Sequence, residues 1–102
     1  MPSSLEFPTR LFRGRSAAVV LACPRDCLYL TTLGDKFGRP VAARRGAVPG
    51  GRRPLTLELP RVRLPRSKYR LEVRVVARDN PGSVKYARSR LLRVSAPGSV
   101  SR

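Results

Sequence analysis

The stretch from Tyr69 to Val94 constrains the fold more than any other. Tyr69, Leu71, Val73, Val75 and Ala77 occupy one parity, and Arg70, Glu72, Arg74 and Arg78 the other. Successive side chains of a strand point to opposite faces, so this alternation sets an apolar stripe against a charged one. It describes a sheet with one face on a core and one in water. A compact break follows at Asn80-Pro81-Gly82, and Val84 to Val94 reads as the partner strand. There Val84, Tyr86, Leu92 and Val94 share a parity that Arg88 and Arg90 interrupt, which predicts a bulge or an edge position.

The remaining segments carry the same signals. Leu5 to Phe12 is broken by Pro8, which has no amide donor, so it is expected as an edge-type strand or a bent lead-in, punctuated by Gly14 and Ser16. Ala17 to Cys23 is continuously apolar and ends at Pro24, which predicts a short buried strand. Leu28 to Leu33 alternates and reads as a third strand, with Cys23-Pro-Arg-Asp-Cys27 as the turn of a hairpin. Gly34 to Gly38 is a second turn, Val41 to Ala43 a short strand, and Gly46 to Pro54 the clearest loop. Leu55, Leu57 and Leu59 alternate up to Pro60, and Val62 and Leu64 are expected in an extended connection over the core.

About seven short strands at roughly 8–12-residue spacing, with no helical period, predict an all-β, antiparallel, immunoglobulin-like sandwich. The chain has 102 residues, enough for one modest core. One domain is expected over residues 1–95, with Ser95 onward, chiefly 96–102, as a flexible tail or linker. No apolar run approaches the roughly 18 residues of a membrane span. Met1-Pro-Ser-Ser-Leu-Glu-Phe has no basic segment followed by an apolar stretch, so no signal peptide is expected. That leaves a cytoplasmic protein or a domain of a longer exported chain.

Catalysis is not expected. The sequence has no histidine, which removes the commonest general base and the commonest metal ligand. Its six acids are scattered singly, and Glu58 and Glu72 fall on polar parities where pairing with arginine is expected. No Gly-x-Ser-x-Gly elbow or phosphate-cradling loop is present, so no catalytic, cofactor-binding or metal-binding residue is assigned. Cys23 and Cys27 cannot complete a four-ligand zinc site within the chain. Because they flank one turn, a disulfide is expected, with buried free thiols as the alternative.

The net charge of +16, from 22 basic and 6 acidic residues, favours polyanions such as acidic glycans, wall polymers, anionic lipid or nucleic acid. Lysine occurs only at positions 36, 68 and 85. An arginine, alanine, glycine and proline bias follows from a GC-rich coding sequence as readily as from selection for a ligand. The candidate polyanion-binding residues are Arg44, Arg45, Arg52 and Arg53 around the long loop and Arg70, Arg74 and Arg78 along one strand face. The six phenylalanines and tyrosines are dispersed, and no RNA-binding signature joins them.

Two stretches together carry a resemblance: the apolar strand ending in Cys23-Pro-Arg-Asp-Cys27, and Tyr69-Arg-Leu-Glu-Val-Arg-Val-Val-Ala-Arg-Asp-Asn-Pro-Gly before a strand closing in Leu-Leu-Arg-Val. The chain resembles bacterial immunoglobulin-like or fibronectin-III-like domains of arginine-rich secreted and surface proteins of high-GC actinobacteria. Tyr69, Leu71 and Val73 match their Tyr-x-Leu-x-Val strand, with Ala77 and Asp79 displaced by Val75-Val76. Antibody-type features are missing: the chain has no tryptophan, and no cysteine lies on the sixth strand. The resemblance implies a non-enzymatic spacer, adhesive or polymer-binding module, extracellular or at the cell surface. Its partners would be acidic polymers or another protein. A small cytoplasmic nucleic-acid-binding barrel and an accessory domain of a larger enzyme are the other expectations.

Overall fold

The sequence folds into eight strands in two sheets, seen in a computed structural model that describes residues 2–12, 15–51, 53–65, 67–79, 82 and 86–95. The strands are β1 (Ser4–Glu6), β2 (Leu11–Phe12), β3 (Ala18–Ala22), β4 (Cys27–Gly34), β5 (Pro40–Val48), β6 (Leu55–Glu58), β7 (Lys68–Ala77) and β8 (Tyr86–Ser95). One sheet has the order β1-β3-β6 and the other β2-β8-β7-β4-β5. Every pairing is antiparallel except β2 with β8, which is parallel. The all-β sandwich expected from the alternation is what forms.

The core lies between the sheets. Val19, Leu21 and Leu57 from the smaller sheet join Tyr29, Leu33, Leu71, Val73 and Val75 from the larger one in a single buried cluster. The alternation of β7 is realised residue by residue, with Tyr69, Leu71, Val73 and Val75 buried and Lys68, Arg70 and Arg74 exposed. Burying the aliphatic side chains contributes roughly 1.5–3 kcal/mol each before conformational entropy is counted. Leu64 is buried on the connection between β6 and β7, as expected of a segment that crosses the core. The Tyr69 hydroxyl donates to the Pro65 carbonyl at 2.7 Å and fastens the end of that connection to the start of β7. Burial of the ring, with the Asp35 charge as a smaller contribution, raises the Tyr69 pKa above 10.0.

Several expectations are corrected. Cys23 to Cys27 is not a hairpin turn, because β3 and β4 lie in different sheets and the segment carries the chain across the core. Both flanking runs are apolar, and strand periodicity cannot say which sheet each joins. The expected single lead-in is two strands: β1 pairs with β3 and β2 with β8, with the sheet change around Pro8. That division makes eight strands rather than about seven. Val41 to Ala43 is part of a nine-residue β5 that takes in Gly46 to Val48, expected as loop. Residues of low strand propensity are held there by pairing along β4.

The interruption in β8 comes from position. Its register with β7 runs unshifted from Tyr86 to Arg93, and from Tyr86 to Arg93 it has no outer neighbour among the described residues. Arg88 and Arg90 therefore occupy core-parity sites that are exposed. The turn after β4 forms as expected. Asp35 accepts the Gly38 amide at 3.0 Å on its carbonyl, and the Phe37 and Arg39 amides at 2.8 and 2.9 Å on Oδ1. Gly38 adopts φ 82°, a left-handed conformation that a residue with a Cβ resists. Gly14, Asn80, Pro81, Val84 and the tail 96–102 lie outside the described residues.

Candidate functional site

The outward face of the five-stranded sheet collects the charge. Register places Arg45, Leu30, Arg74 and Ala87 in one row, and Ala43, Thr32, Glu72 and Ser89 in the next. Gly34, Arg70 and Leu91 form a third row, and Lys68 with Arg93 a fourth. Residues two apart on a strand are roughly 7 Å apart, and neighbouring strands about 4.8 Å, so these side chains form one surface. Its rows hold Arg45, Lys68, Arg70, Arg74 and Arg93 with Glu72 as their one carboxylate, and Asp35 stands at the end of the face.

Local contacts order part of this face. Arg74 Nε lies 3.3 Å from Glu72 Oε1, the solvated pairing expected for that acid. Such a pair adds at most about 1 kcal/mol in water, so it orients Arg74 more than it stabilises the fold. Arg70 Nη1 donates to Ser89 Oγ at 3.1 Å across to β8. Leu30 and Leu91 stand among the cations, with Leu91 56% exposed. At one end of the face lies a shallow hollow of about 560 Å³, lined among others by Asp35, Lys36, Lys68, Arg70, Glu72 and Leu91.

The seven expected arginines do not act as one group. Arg45, Arg70 and Arg74 share the outward face. Arg44 has the opposite parity, pairing with the core-facing Thr31, and its Nη1 donates to the Glu58 carbonyl of the smaller sheet at 3.0 Å. Arg78 does not extend the row of Arg70 and Arg74, because β7 ends at Ala77 opposite Cys27. It lines a hollow of about 410 Å³ with Arg25, Asp26 and Asp79, where the signs balance. Arg53 is exposed in the loop between β5 and β6, and Arg52 lies outside the described residues. Sequence reasoning left out Lys68 and Arg93. Lys68 shares the parity of Arg70 and was visible, whereas Arg93 joins only through the β7–β8 register.

The two cysteines lie at disulfide distance with Cα atoms 6.4 Å apart, so the expected bridge has the geometry it needs. The segment they close anchors two others. The Gly51 amide donates to the Cys23 carbonyl at 2.8 Å, the Gly50 amide to Asp26 Oδ1 at 2.6 Å, and the Arg78 amide to the Asp26 carbonyl at 3.1 Å.

Tyr29 and Tyr69 are buried, while Phe37 is 71% exposed at the tip of the β4–β5 turn, within cation–π reach of Lys36 and Arg39. The four rows of cations contain no aromatic residue, but Phe12 of β2, paired with Ser95 beyond Arg93, lies on the same side of the sheet, 41% exposed and 6.0 Å from the Arg15 guanidinium. Among the described residues no group of three or more His, Cys, Asp or Glu side chains could hold a metal ion, and no helix is long and apolar enough to cross a membrane. In comparisons with known proteins, no family model matches the chain and no curated protein is significantly similar to it.

Proposed function

We propose that this chain is a non-enzymatic, immunoglobulin-like module of an exported protein that binds acidic polymers through the outward face of its larger sheet. The observation that carries the reading is the gathering of Arg45, Lys68, Arg70, Arg74 and Arg93 on one face, with Glu72 among them and Asp35 at its end as the carboxylates that oppose them. A hydrogen-bonded sheet holds these cations at fixed spacing, so a flexible polyanion is ordered without reorganising the protein. Leu30 and Leu91 between them suit the apolar faces of sugar rings better than a purely ionic lattice would.

The likeness to immunoglobulin-like domains is supported by two features. The first, third and sixth strands lie over the fourth, seventh and eighth, the arrangement of the A-B-E and C-F-G sheets. The hydroxyl of Tyr69 at the start of β7 meets a carbonyl four residues upstream, as in the tyrosine corner of such domains. Residence outside the cell is supported by the cysteine pair, since disulfides persist in oxidising compartments. The nucleic-acid-binding barrel has less in its favour: the described strands form two sheets, and the exposed Phe12 and Phe37 stand beyond the rows of cations rather than interleaved with them for base stacking.

The test is retention on heparin and on DNA of the parent and of a variant carrying Arg45→Glu, Arg70→Glu and Arg74→Glu. The triple variant should elute at clearly lower salt with an unchanged circular dichroism spectrum. Arg78→Glu, in the charge-balanced hollow, should shift elution much less. Equal retention of parent and triple variant would overturn the reading. Stronger retention of the parent on DNA than on heparin, at matched salt, would favour the nucleic-acid alternative.

A further inference from the structure

The larger sheet ends in an edge made differently from the others. Among the described residues β5 has β4 on one side and no strand on the other. Seven successive pairs, from Val48 with Cys27 to Ala42 with Leu33, run without a break, and the only register shift sits at Leu33/Gly34 beside the turn. Alternate residues of such an edge turn their N–H and C=O groups outward, which makes a template for another strand. The side chains along it are small at Ala42, Ala43, Gly46 and Ala47, so little overhangs those backbone groups. Arg44 is drawn to the Glu58 carbonyl of the smaller sheet.

The other edges are short or guarded. β1 has three residues and β6 four. β8 presents Arg88 and Arg90 at exposed core-parity positions, charges of the kind that stop a further strand from docking, and its end is paired with β2.

Charge decides what could occupy β5. From Lys36 to Leu57 the sequence contains no acidic residue and carries Lys36, Arg39, Arg44, Arg45, Arg52 and Arg53. A second copy of β5 laid antiparallel would set arginines against arginines, which is unfavourable across a strand pair, and the net charge of +16 opposes self-association. An extended acidic peptide avoids both penalties. We infer that β5 is a docking edge that takes an extended acidic segment of a partner protein as an added strand. Main-chain hydrogen bonds supply the affinity, and carboxylates of the segment meet Arg45 on the outward side of β5 and the exposed Arg39 and Arg53 beyond its two ends. This inference does not depend on the polymer-binding face, since it requires the partner's backbone as well as its charge.

The test uses the full chain, labelled with 15N, and a capped ten-residue peptide alternating glutamate with threonine and valine. Two versions are N-methylated, one on each phase of the alternation, and a fourth peptide has lysine in place of glutamate. Methylation preserves every charge but removes the donors on one edge of the strand. Chemical-shift changes and slowed amide exchange are expected to centre on Val41 to Val48. One methylated phase should bind roughly tenfold or more weakly than the other, as loss of several hydrogen bonds requires. The lysine peptide should not bind. Equal binding by the two methylated phases would reduce the interaction to charge and overturn the inference. Shifts confined to the outward faces of β7 and β8, equal binding of the lysine peptide, or no response at millimolar peptide would overturn it too. So would concentration-dependent protection of β5 amides in the free protein, which would give the edge to a second copy.

Discussion

Thr31 and Tyr69 are polar groups in the core with opposite outcomes. Thr31 is fully buried in the middle of β4, and its Oγ1 has no hydrogen-bond partner among the described residues. An unpaired buried hydroxyl costs about 1–3 kcal/mol. Thr31→Val has nearly the same shape and removes that cost, so it should stabilise the protein by about 1 kcal/mol, read as a higher urea midpoint at unchanged slope. Tyr69 does find a partner in Pro65, and its phenol is held neutral by burial. Its pKa is raised on folding, so its contribution is fully present below the unfolded value near pH 10 and lost as pH rises through the folded value. In that window the unfolded phenol has released its proton and the folded one has not, so stability falls with rising pH. Tyr69→Phe should lower stability by about 1 kcal/mol at neutral pH and flatten the alkaline fall. Parallel denaturation series at pH 8 to 11 check both effects, and an equally steep fall in the variant would refute the second.

At the scale of elements, the crossover between β3 and β4 does more than join sheets. The Cys23–Cys27 segment receives the amides of Gly50, Gly51 and Arg78, so it ties the β5–β6 loop and the end of β7 to one point. Gly50 has no room for a side chain there. A Cβ would stand 2.7 Å from Arg25 Cα and 2.8 Å from the Asp26 nitrogen, both backbone atoms that cannot swing aside. Gly50→Ala is therefore expected to cost roughly 1–3 kcal/mol by forced displacement. Replacing both cysteines by alanine should cost about 2 kcal/mol from chain entropy for so small a ring. A denaturation cycle of the single and combined variants should show these effects to be non-additive, because the two sites share one segment. Strict additivity would mean that the loop and the cysteine ring are independent.

For the molecule as a whole, the charge of +16 is carried on a thin two-layer body in which most cations face water. Mutual repulsion among them opposes the compact state and is screened over about 8–10 Å at physiological salt. The melting temperature should therefore rise between 20 and 300 mM sodium chloride. It should rise further in sulfate, an anion that the outward face would engage. A melting temperature that falls with salt would show favourable ion pairs to dominate.

Much of the architecture was legible from periodicity, because a strand with one dry and one wet face must alternate. Hence β7 and its buried parity followed directly from Tyr69 to Ala77, and β6 from Leu55 to Leu59. Leu28 to Leu33 marked β4 as a strand without saying which parity is buried, both being largely apolar. What periodicity does not contain is partnership. It could not say that β3 and β4 part into different sheets, that β2 leaves β1 to run beside β8, or that Arg44-Arg45-Gly46 is strand rather than loop. Those outcomes depend on contacts between residues far apart in sequence. The candidate site divides along the same line. Arg70 and Arg74 were grouped correctly because one strand holds both, and Arg78 was added wrongly because β7 stops where β4 turns into the crossover.

By itself the sequence determined the all-β class, the core parity of β7, the close spacing of Cys23 and Cys27 and the excess of positive charge. Each is a local property, carried by alternation, spacing or composition. Only the tertiary structure decided which arginines share a face, since that follows from the pairing of β5, β4, β7 and β8. It alone decided that β5 has no outer neighbour among the described residues, because an edge is defined by the absence of a neighbour, and no residue encodes that locally.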